Sequence, residues 1–209
     1  METNRRIKIA LYGGTFDPFH KGHLDLLINI HDELRPDKIC IMPAGHPYLK
    51  EKMGIKITDA EDRIGMIRAG LSAVDFEWEI SRYEVDKEGA SYSVDTVEYI
   101  RGVSGDPDKT DIYFLCGSDI LFSIDKWYEY KRLISGIILV VVPRGEDSTD
   151  SIERRKRELE ERDGARIIIS KFRGEEISSS YIRKNPGKCG HMIPDGTLSY
   201  IREKHLYET

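Results

Sequence analysis

The chain has 209 residues, of which 39% are hydrophobic and 33% charged, and its formal net charge is −5 at pH 7. This size suffices for one compact domain with a full core, while the negative charge disfavours general nucleic-acid binding, because no basic field can displace counterions from a phosphate backbone. The longest apolar run, residues 137–142, is too short to span a bilayer, and the polar start of the chain is not typical of a signal peptide. We therefore expect a cytoplasmic protein without a membrane partner, whose cysteines Cys40, Cys116 and Cys189 are core thiols.

Six apolar runs have the character of β-strands, and apolar residues at helical spacing fill the intervals between them. The predicted strands are residues 7–12, 38–42, 76–80, 111–116, 137–142 and 167–169. The predicted helices involve residues 24–34, 60–71, 94–100, 127–130, 151–162, 177–183 and 198–205. Because this alternation continues without a shift in composition, the sequence predicts a single α/β domain over residues 1–209, with a doubly wound parallel sheet and a helical C-terminal end. Ligands of such sheets bind at the carboxyl ends of the strands.

A glycine turn joins the first predicted strand to the first predicted helix. It contains Gly13 and Gly14, which can take positive φ and let backbone N–H groups approach a ligand closely. His20 and His23 follow at i and i+3 near the start of the helix, where they can share one face. Two imidazoles beside a helix N-terminus can donate hydrogen bonds to phosphoryl oxygens and stabilise charge in a transferring group. The alternative is a glycine turn followed by two surface histidines.

The complete string, Gly13-Gly14-Thr15-Phe16-Asp17-Pro18-x-His20-x-Gly22-His23, resembles the signature of the nucleotidyltransferases with an HxGH motif. This family includes nicotinate-nucleotide, pantetheine-phosphate and glycerol-3-phosphate nucleotidyltransferases and implies a Rossmann-like fold. A second segment, Ile177-Ser178-Ser179-Ser180-x-Ile182-Arg183, resembles the family's ISSSxIR signature, which holds nucleotide phosphates. Taken alone, this second segment would predict only an N-cap and a surface arginine.

Three further segments resemble the nicotinate-nucleotide branch of that family. Ser91-Tyr92-Ser93-x-x-Thr96 is similar to the SYTxxT segment of the mononucleotide site, and Trp127-Tyr128 to a segment that stacks on the nicotinate ring, although core packing would also explain the tryptophan. Arg144 resembles the arginine of an RPG-like segment of the same branch, which implies a place near a carboxylate or phosphate. In the pair Gly117-x-Asp119, the aspartate either contacts a sugar or caps a helix. The ATP-binding residues that the resemblance implies are Gly13, Gly14, Thr15, Phe16, His20, His23, Gly117, Asp119, Ile177, Ser178, Ser180 and Arg183. The implied mononucleotide-binding residues are Thr15, Lys50, Ser93, Trp127, Tyr128 and Arg144.

One departure from the branch lies in the loop after the second strand. The branch carries a PPHK string there, whereas this chain has Pro47-Tyr48-Leu49-Lys50, which retains the lysine and replaces the histidine by Leu49. His46, three residues earlier, is a candidate to replace the missing histidine; the alternative is that it is a solvated loop residue.

The resemblance implies an enzyme of NAD synthesis that transfers the adenylyl group of ATP to nicotinate mononucleotide. The expected catalytic residues are His20, His23, Lys50 and Arg183, with Mg²⁺ carried on ATP and no protein metal site. The alternatives are another acceptor, either nicotinamide mononucleotide or phosphopantetheine, and a non-catalytic nucleotide sensor. The sequence leaves homo-oligomerisation and the preference between the acid and amide mononucleotides open.

Overall fold

A six-stranded, all-parallel sheet forms the centre of the protein, as seen in a computed structural model that describes residues 5–45, 57–145 and 147–208. The strands are β1 Ile7–Gly14, β2 Lys38–Pro43, β3 Trp78–Ile80, β4 Thr110–Gly117, β5 Ile138–Val142 and β6 Ile167–Ile169. Their order in the sheet is β3-β2-β1-β4-β5-β6, so the direction of winding reverses between β1 and β4. This is the doubly wound arrangement that the sequence predicts, and the prediction of fold class is confirmed.

Helices cover both faces of the sheet. They are α1 Lys21–Leu34, α2 Ala60–Gly70, α3 Tyr83–Asp86, α4 Ser93–Gly102, α5 Ser118–Ser123, α6 Tyr130–Gly136, α7 Thr149–Asp163, α8 Ser179–Lys184 and α9 Asp195–Glu203. Short 3₁₀ turns occupy Pro107–Lys109, Ile124–Lys126, Pro186–Lys188 and Gly190–Met192. Within the described ranges, no helix combines the length and the apolar character needed to cross a lipid bilayer.

The alternation of side chains along β1 divides the core into two layers. Ile9 and Leu11 pack with residues of α4, α6 and α7, whereas Ala10 and Tyr12 pack with residues of α1, α2 and α9 on the opposite face. Strands buried on both faces are expected where crossover helices cover a parallel sheet. The three cysteines, Cys40, Cys116 and Cys189, are buried free thiols, as predicted.

Several predicted boundaries are wrong. Strand β3 begins only at Trp78, and the final helix ends at Glu203, before His205. The segment 127–130 opens helix α6 rather than occupying it: Trp127 and Tyr128 lie in the preceding turn, where Glu129 takes a left-handed conformation with φ of 48°. The sequence analysis also missed α5, which starts at Ser118 directly after β4 without a separating loop.

Candidate active site

Two cavities meet at the carboxyl ends of the central strands, where the strand order reverses. The smaller has a volume of about 310 Å³, and the larger about 570 Å³. Residues lining the smaller cavity include His20, His23, Arg144, Ile177, Ser178 and Ser180. Residues lining the larger cavity include Gly13, Gly14, Thr15, Phe16, His23, Ser93, Gly117, Asp119, Trp127 and Arg144. Because Tyr12, His23 and Arg144 line both, groups bound in the two cavities would meet at these side chains.

The loop between β1 and α1 has its positive φ at a residue other than the two glycines. Gly13 and Gly14 end the extended strand and do not take positive φ, whereas Phe16 does, with φ of 53°. Gly14 is needed for another reason: a Cβ atom there would lie 2.9 Å from the Phe16 ring. The Phe16 ring in turn packs edge-on against His23, with 5.1 Å between ring centroids. The glycine therefore gives room to an aromatic side chain that supports His23.

His20 and His23 form a stacked pair at the start of α1. His20 is the N-cap residue, and the two ring centroids lie only 3.6 Å apart with 14° between the planes. The backbone N–H of His20 donates to Nδ1 of His23 over 3.2 Å. A neutral imidazole that accepts at Nδ1 carries its proton on Nε2, so this contact makes Nε2 of His23 a hydrogen-bond donor.

His20 is electrically neutral at physiological pH. Burial, together with the positive charge of Arg144, lowers its pKa to about 4. Its Nδ1 atom is buried and lacks a hydrogen-bond partner among the described residues. Buried unpaired polar atoms are rare and need an explanation, and a bound ligand is one. The positive charge shared by the two cavities therefore comes from Arg144 and not from His20.

Arg144 is placed by the end of β5 and by a carboxylate. Its backbone N–H donates to Oδ2 of Asp147 over 2.7 Å, and the Ser118 hydroxyl donates to the same oxygen. The guanidinium lies beside Gly117, where an added Cβ would sit 3.2 Å from the Arg144 Cζ and 2.5 Å from the Asp119 Oδ1. The missing side chain of Gly117 thus allows Arg144 and Asp119 to approach the end of β4.

The serine segment folds as an N-cap, as predicted, and also lines the smaller cavity. Ser178 caps α8 by accepting the Tyr181 N–H over 3.3 Å, and the Ser179 hydroxyl donates to the Pro18 carbonyl over 3.3 Å. This second contact ties the segment to the loop that carries the histidines. The two sequence signatures are therefore brought together at one cavity.

Arg183 lies behind this segment rather than inside the cavity. Its Nη2 donates to the Ser180 hydroxyl over 3.3 Å, and its Nη1 donates to the Asp17 carbonyl. It is not among the described residues that line either cavity, and its side chain is 14% exposed.

The larger cavity brings Ser93 and Trp127 together, with one acidic residue that sequence reasoning missed. Glu84 lines the same cavity and accepts a hydrogen bond from the Thr96 hydroxyl over 2.6 Å. Burial raises the pKa of the Glu84 carboxyl, although the Thr96 hydrogen bond opposes the shift. No sequence signal pointed to Glu84, because it reaches the cavity from the short helix α3, which was itself not predicted.

One predicted mononucleotide residue, Tyr128, lines neither of the two cavities. Tyr128 lines a neighbouring cavity of about 230 Å³, together with Ser91, Tyr92, Ser93 and Trp127. Trp127 also packs edge-on against Phe114 at 6.2 Å, so the tryptophan contacts both the core and the cavities. Lys50, Leu49 and His46 lie outside the described residues. The described part of the chain contains no group of three or more His, Cys, Asp or Glu side chains arranged to hold a metal ion.

The chain is similar to one family model and to curated proteins that share one description. The model of the cytidylyltransferase-like family matches residues 11–185. A probable nicotinate-nucleotide adenylyltransferase of Clostridium botulinum (strain Alaska E43 / Type E3) is 35% identical over 205 residues, covering 96% of this chain and 98% of the relative. A protein of the same description from Clostridium tetani is 36% identical over 203 residues, covering 96% of this chain and 98% of the relative.

Solved structures share the fold. The Plasmodium falciparum nicotinic acid mononucleotide adenylyltransferase complexed with NaAD has a TM-score of 0.74 at 18% identity, covering 96% of this chain and 97% of the other. The same enzyme complexed with APC has a TM-score of 0.73, also at 18% identity and with the same coverage of both chains.

Proposed function

The chain belongs to the cytidylyltransferase-like family, and within that family we propose that it is a nicotinate-nucleotide adenylyltransferase. It transfers the adenylyl group of ATP to nicotinate mononucleotide, giving nicotinate adenine dinucleotide and pyrophosphate. The observation that carries the proposal is the meeting of two cavities at His23 and Arg144, one lined by the serine segment and the other by Ser93 and Trp127. A reaction between two nucleotides needs two such sites that share one reaction centre.

In this assignment, the smaller cavity takes the triphosphate and the larger takes the mononucleotide. A phosphate oxygen of the mononucleotide attacks the α-phosphorus of ATP in line, the bond to the β-phosphate breaks, and pyrophosphate leaves. The attacking phosphate is already ionised, so no protein base is required. Catalysis then consists of positioning and of stabilising negative charge on the transferring group.

His23 and Arg144 are the side chains placed to provide that stabilisation. Arg144 supplies positive charge to both cavities, and the Nε2–H of His23 supplies a neutral hydrogen-bond donor whose orientation is fixed by the His20 backbone. Donors that are fixed before the reaction lower its barrier more than donors that must reorient. Mg²⁺ enters with ATP as part of the substrate.

The acid form of the mononucleotide is the preferred acceptor in this proposal. A site that hydrogen-bonds a carboxylate leaves donors unpaired when the amide binds, so we expect at least about a tenfold preference in kcat/KM. The candidate donors are the backbone amides around Ser93 and the Arg144 guanidinium, which line the larger cavity, whereas the Trp127 N–H already donates to the Ile124 carbonyl over 3.0 Å.

The test uses MgATP with four separate additions: nicotinate mononucleotide, nicotinamide mononucleotide, phosphopantetheine, and no acceptor. Pyrophosphate release and the mass of the adenylylated product are measured together. We expect nicotinate adenine dinucleotide and faster turnover of the acid than of the amide. Turnover of phosphopantetheine alone would move the protein to another branch of the family. Binding of ATP without turnover of any acceptor would identify a nucleotide sensor.

A further inference from the structure

The carboxylate of Asp17 lies buried beneath the loop that carries the histidine pair, with only 1% of the residue exposed. Its Oδ1 accepts the hydroxyl of Tyr207 over 2.6 Å, and its Oδ2 accepts the backbone N–H of Thr58 over 3.3 Å. The Nη1 of Arg183 lies 3.7 Å from the same Oδ2. A buried carboxylate needs each of these partners, because an unpaired charge in the interior is costly.

Arg183 is held by the backbone of Asp17 more closely than by its carboxylate. The Nη1 atom donates to the Asp17 carbonyl, while the distance of 3.7 Å to Oδ2 is that of a loose ion pair. On the other side, Nη2 donates to Ser180, one of the residues lining the smaller cavity. The guanidinium therefore lies between a buried negative charge and the proposed triphosphate cavity.

Tyr207 occupies the carboxylate oxygen that Arg183 would otherwise attract. The tyrosine comes from the segment after α9, where His205 and Tyr207 take left-handed φ of 52° and 64° and turn the chain back onto the second core layer. If its hydroxyl is removed, Oδ1 loses this donor. Two cations face this carboxylate. Arg63 is held by the carbonyls of Thr58 and Thr15, whereas a closer pair of Arg183 with Asp17 would draw the Arg183 charge away from the cavity.

We propose that Tyr207 is a positioning residue for Arg183, acting through the Asp17 carboxylate, and that this arrangement sets the affinity for the triphosphate of ATP. The inference rests on the proposed function in one respect, namely that the smaller cavity takes the triphosphate; Arg183 lies behind that cavity and is connected to it through the Ser180 hydroxyl. The inference does not depend on the identity of the acceptor, since it concerns only the binding of ATP.

The test measures binding of the α,β-methylene analogue of ATP, with Mg²⁺, by calorimetry. Tyr207→Phe should weaken this binding by about three- to tenfold, the loss expected when a positive charge behind the triphosphate cavity is displaced but not removed. In the Arg183→Ala background the same substitution should have no further effect, because the residue through which Tyr207 acts is absent. The KM for nicotinate mononucleotide should not change.

Tyr200→Phe is the matched control. This tyrosine lies in α9, and its hydroxyl donates to Asp62 over 3.0 Å, away from both cavities. The Tyr200→Phe variant should lose about as much stability as Tyr207→Phe and should bind the ATP analogue with the affinity of the parent protein. If Tyr207→Phe does not fold, the pair Asp17→Asn and Asp17→Asn/Tyr207→Phe provides the comparison, since the amide removes the charge for which Tyr207 and Arg183 compete. We then expect equal affinities for the analogue.

Three results would overturn the inference, the last two of them through the double variants. One is a Tyr207→Phe protein with a lower melting temperature but unchanged affinity for the ATP analogue, which would make the tyrosine purely structural. The other two are additivity of Tyr207→Phe and Arg183→Ala, and unequal affinities within the Asp17→Asn pair. Failure of the proposed function is recognised separately, because it would appear as absence of dinucleotide product from the unmodified protein.

Discussion

The buried, neutral His20 makes the stability of the folded protein sensitive to acid. In an unfolded chain this imidazole titrates near its ordinary pKa of 6.5, whereas in the folded protein the pKa is lowered to about 4. Between these values the unfolded state binds more protons than the folded state, so stability falls as the pH is lowered from 6.5 towards 4. Above 6.5 both states are neutral at this site, and the effect disappears.

The size of the effect follows from the two pKa values. Integrating the difference in bound protons from pH 7 to pH 5 gives a loss of about 2 kcal/mol in the free energy of unfolding from this one group. A substitution that cannot be protonated, His20→Asn, should remove this component. The variant should therefore lose about 2 kcal/mol less stability than the parent protein over the same pH interval, whatever its stability at pH 7.

Urea denaturation of both proteins at pH 7 and pH 5 measures the difference directly. His205→Asn is the control for removal of a histidine, because the His205 side chain is 75% exposed and therefore lacks the burial that affects His20. The control should change the pH dependence by less than about 0.5 kcal/mol. Equal losses in the parent and in His20→Asn would refute the argument that burial keeps this imidazole neutral.

Three further predictions concern the reaction. His23→Ala should lower kcat by about 100- to 1,000-fold with little change in the KM for ATP, because the contact strengthens in the transition state; near-normal kcat/KM would remove His23 from the mechanism. Trp127→Ala should raise the KM for the mononucleotide by about tenfold and leave ATP affinity intact, whereas equal losses together with a lower melting temperature would mean that the ring only packs. Gly117→Ala should lower kcat/KM at least about tenfold, since its Cβ would displace Arg144 or Asp119. Steady-state kinetics equal to those of the parent would show that the space between these side chains and β4 accommodates a methyl group.

The two signatures could be placed from the sequence because each one is local. A strand, a turn and a helix start within the 7–34 stretch fix the histidines relative to the end of β1, and the N-cap serine fixes the start of α8 in the same way. Alternating apolar and polar segments were sufficient to predict the parallel sheet. What this local pattern could not give was the conformation of the turn, because the positive φ belongs to Phe16 and depends on how its ring packs.

Residues that reach the site through tertiary contacts were not recognised. Glu84 comes from a four-residue helix without an apolar period, and Tyr207 contacts Asp17 across most of the chain. For Arg183, the sequence predicts a role but not the residues that surround the side chain. Its place in the motif predicts contact with phosphate. The Asp17 carboxylate beside it could not be predicted, because this group becomes buried only when the loop that carries it packs against the C-terminal segment.

The contact between Asp17 and Tyr207 joins residues separated by 190 positions. A nascent chain can build β1, α1 and the stacked histidines early in synthesis, yet the carboxylate beneath them has to wait for residue 207 before its hydroxyl partner exists. Contacts of such long sequence separation form late, since a large loop must close first. The loop that carries the histidines therefore completes its hydrogen bonding only after residue 207 has been translated, and a chain ending before that residue would hold both signatures and still lack the contact beneath them.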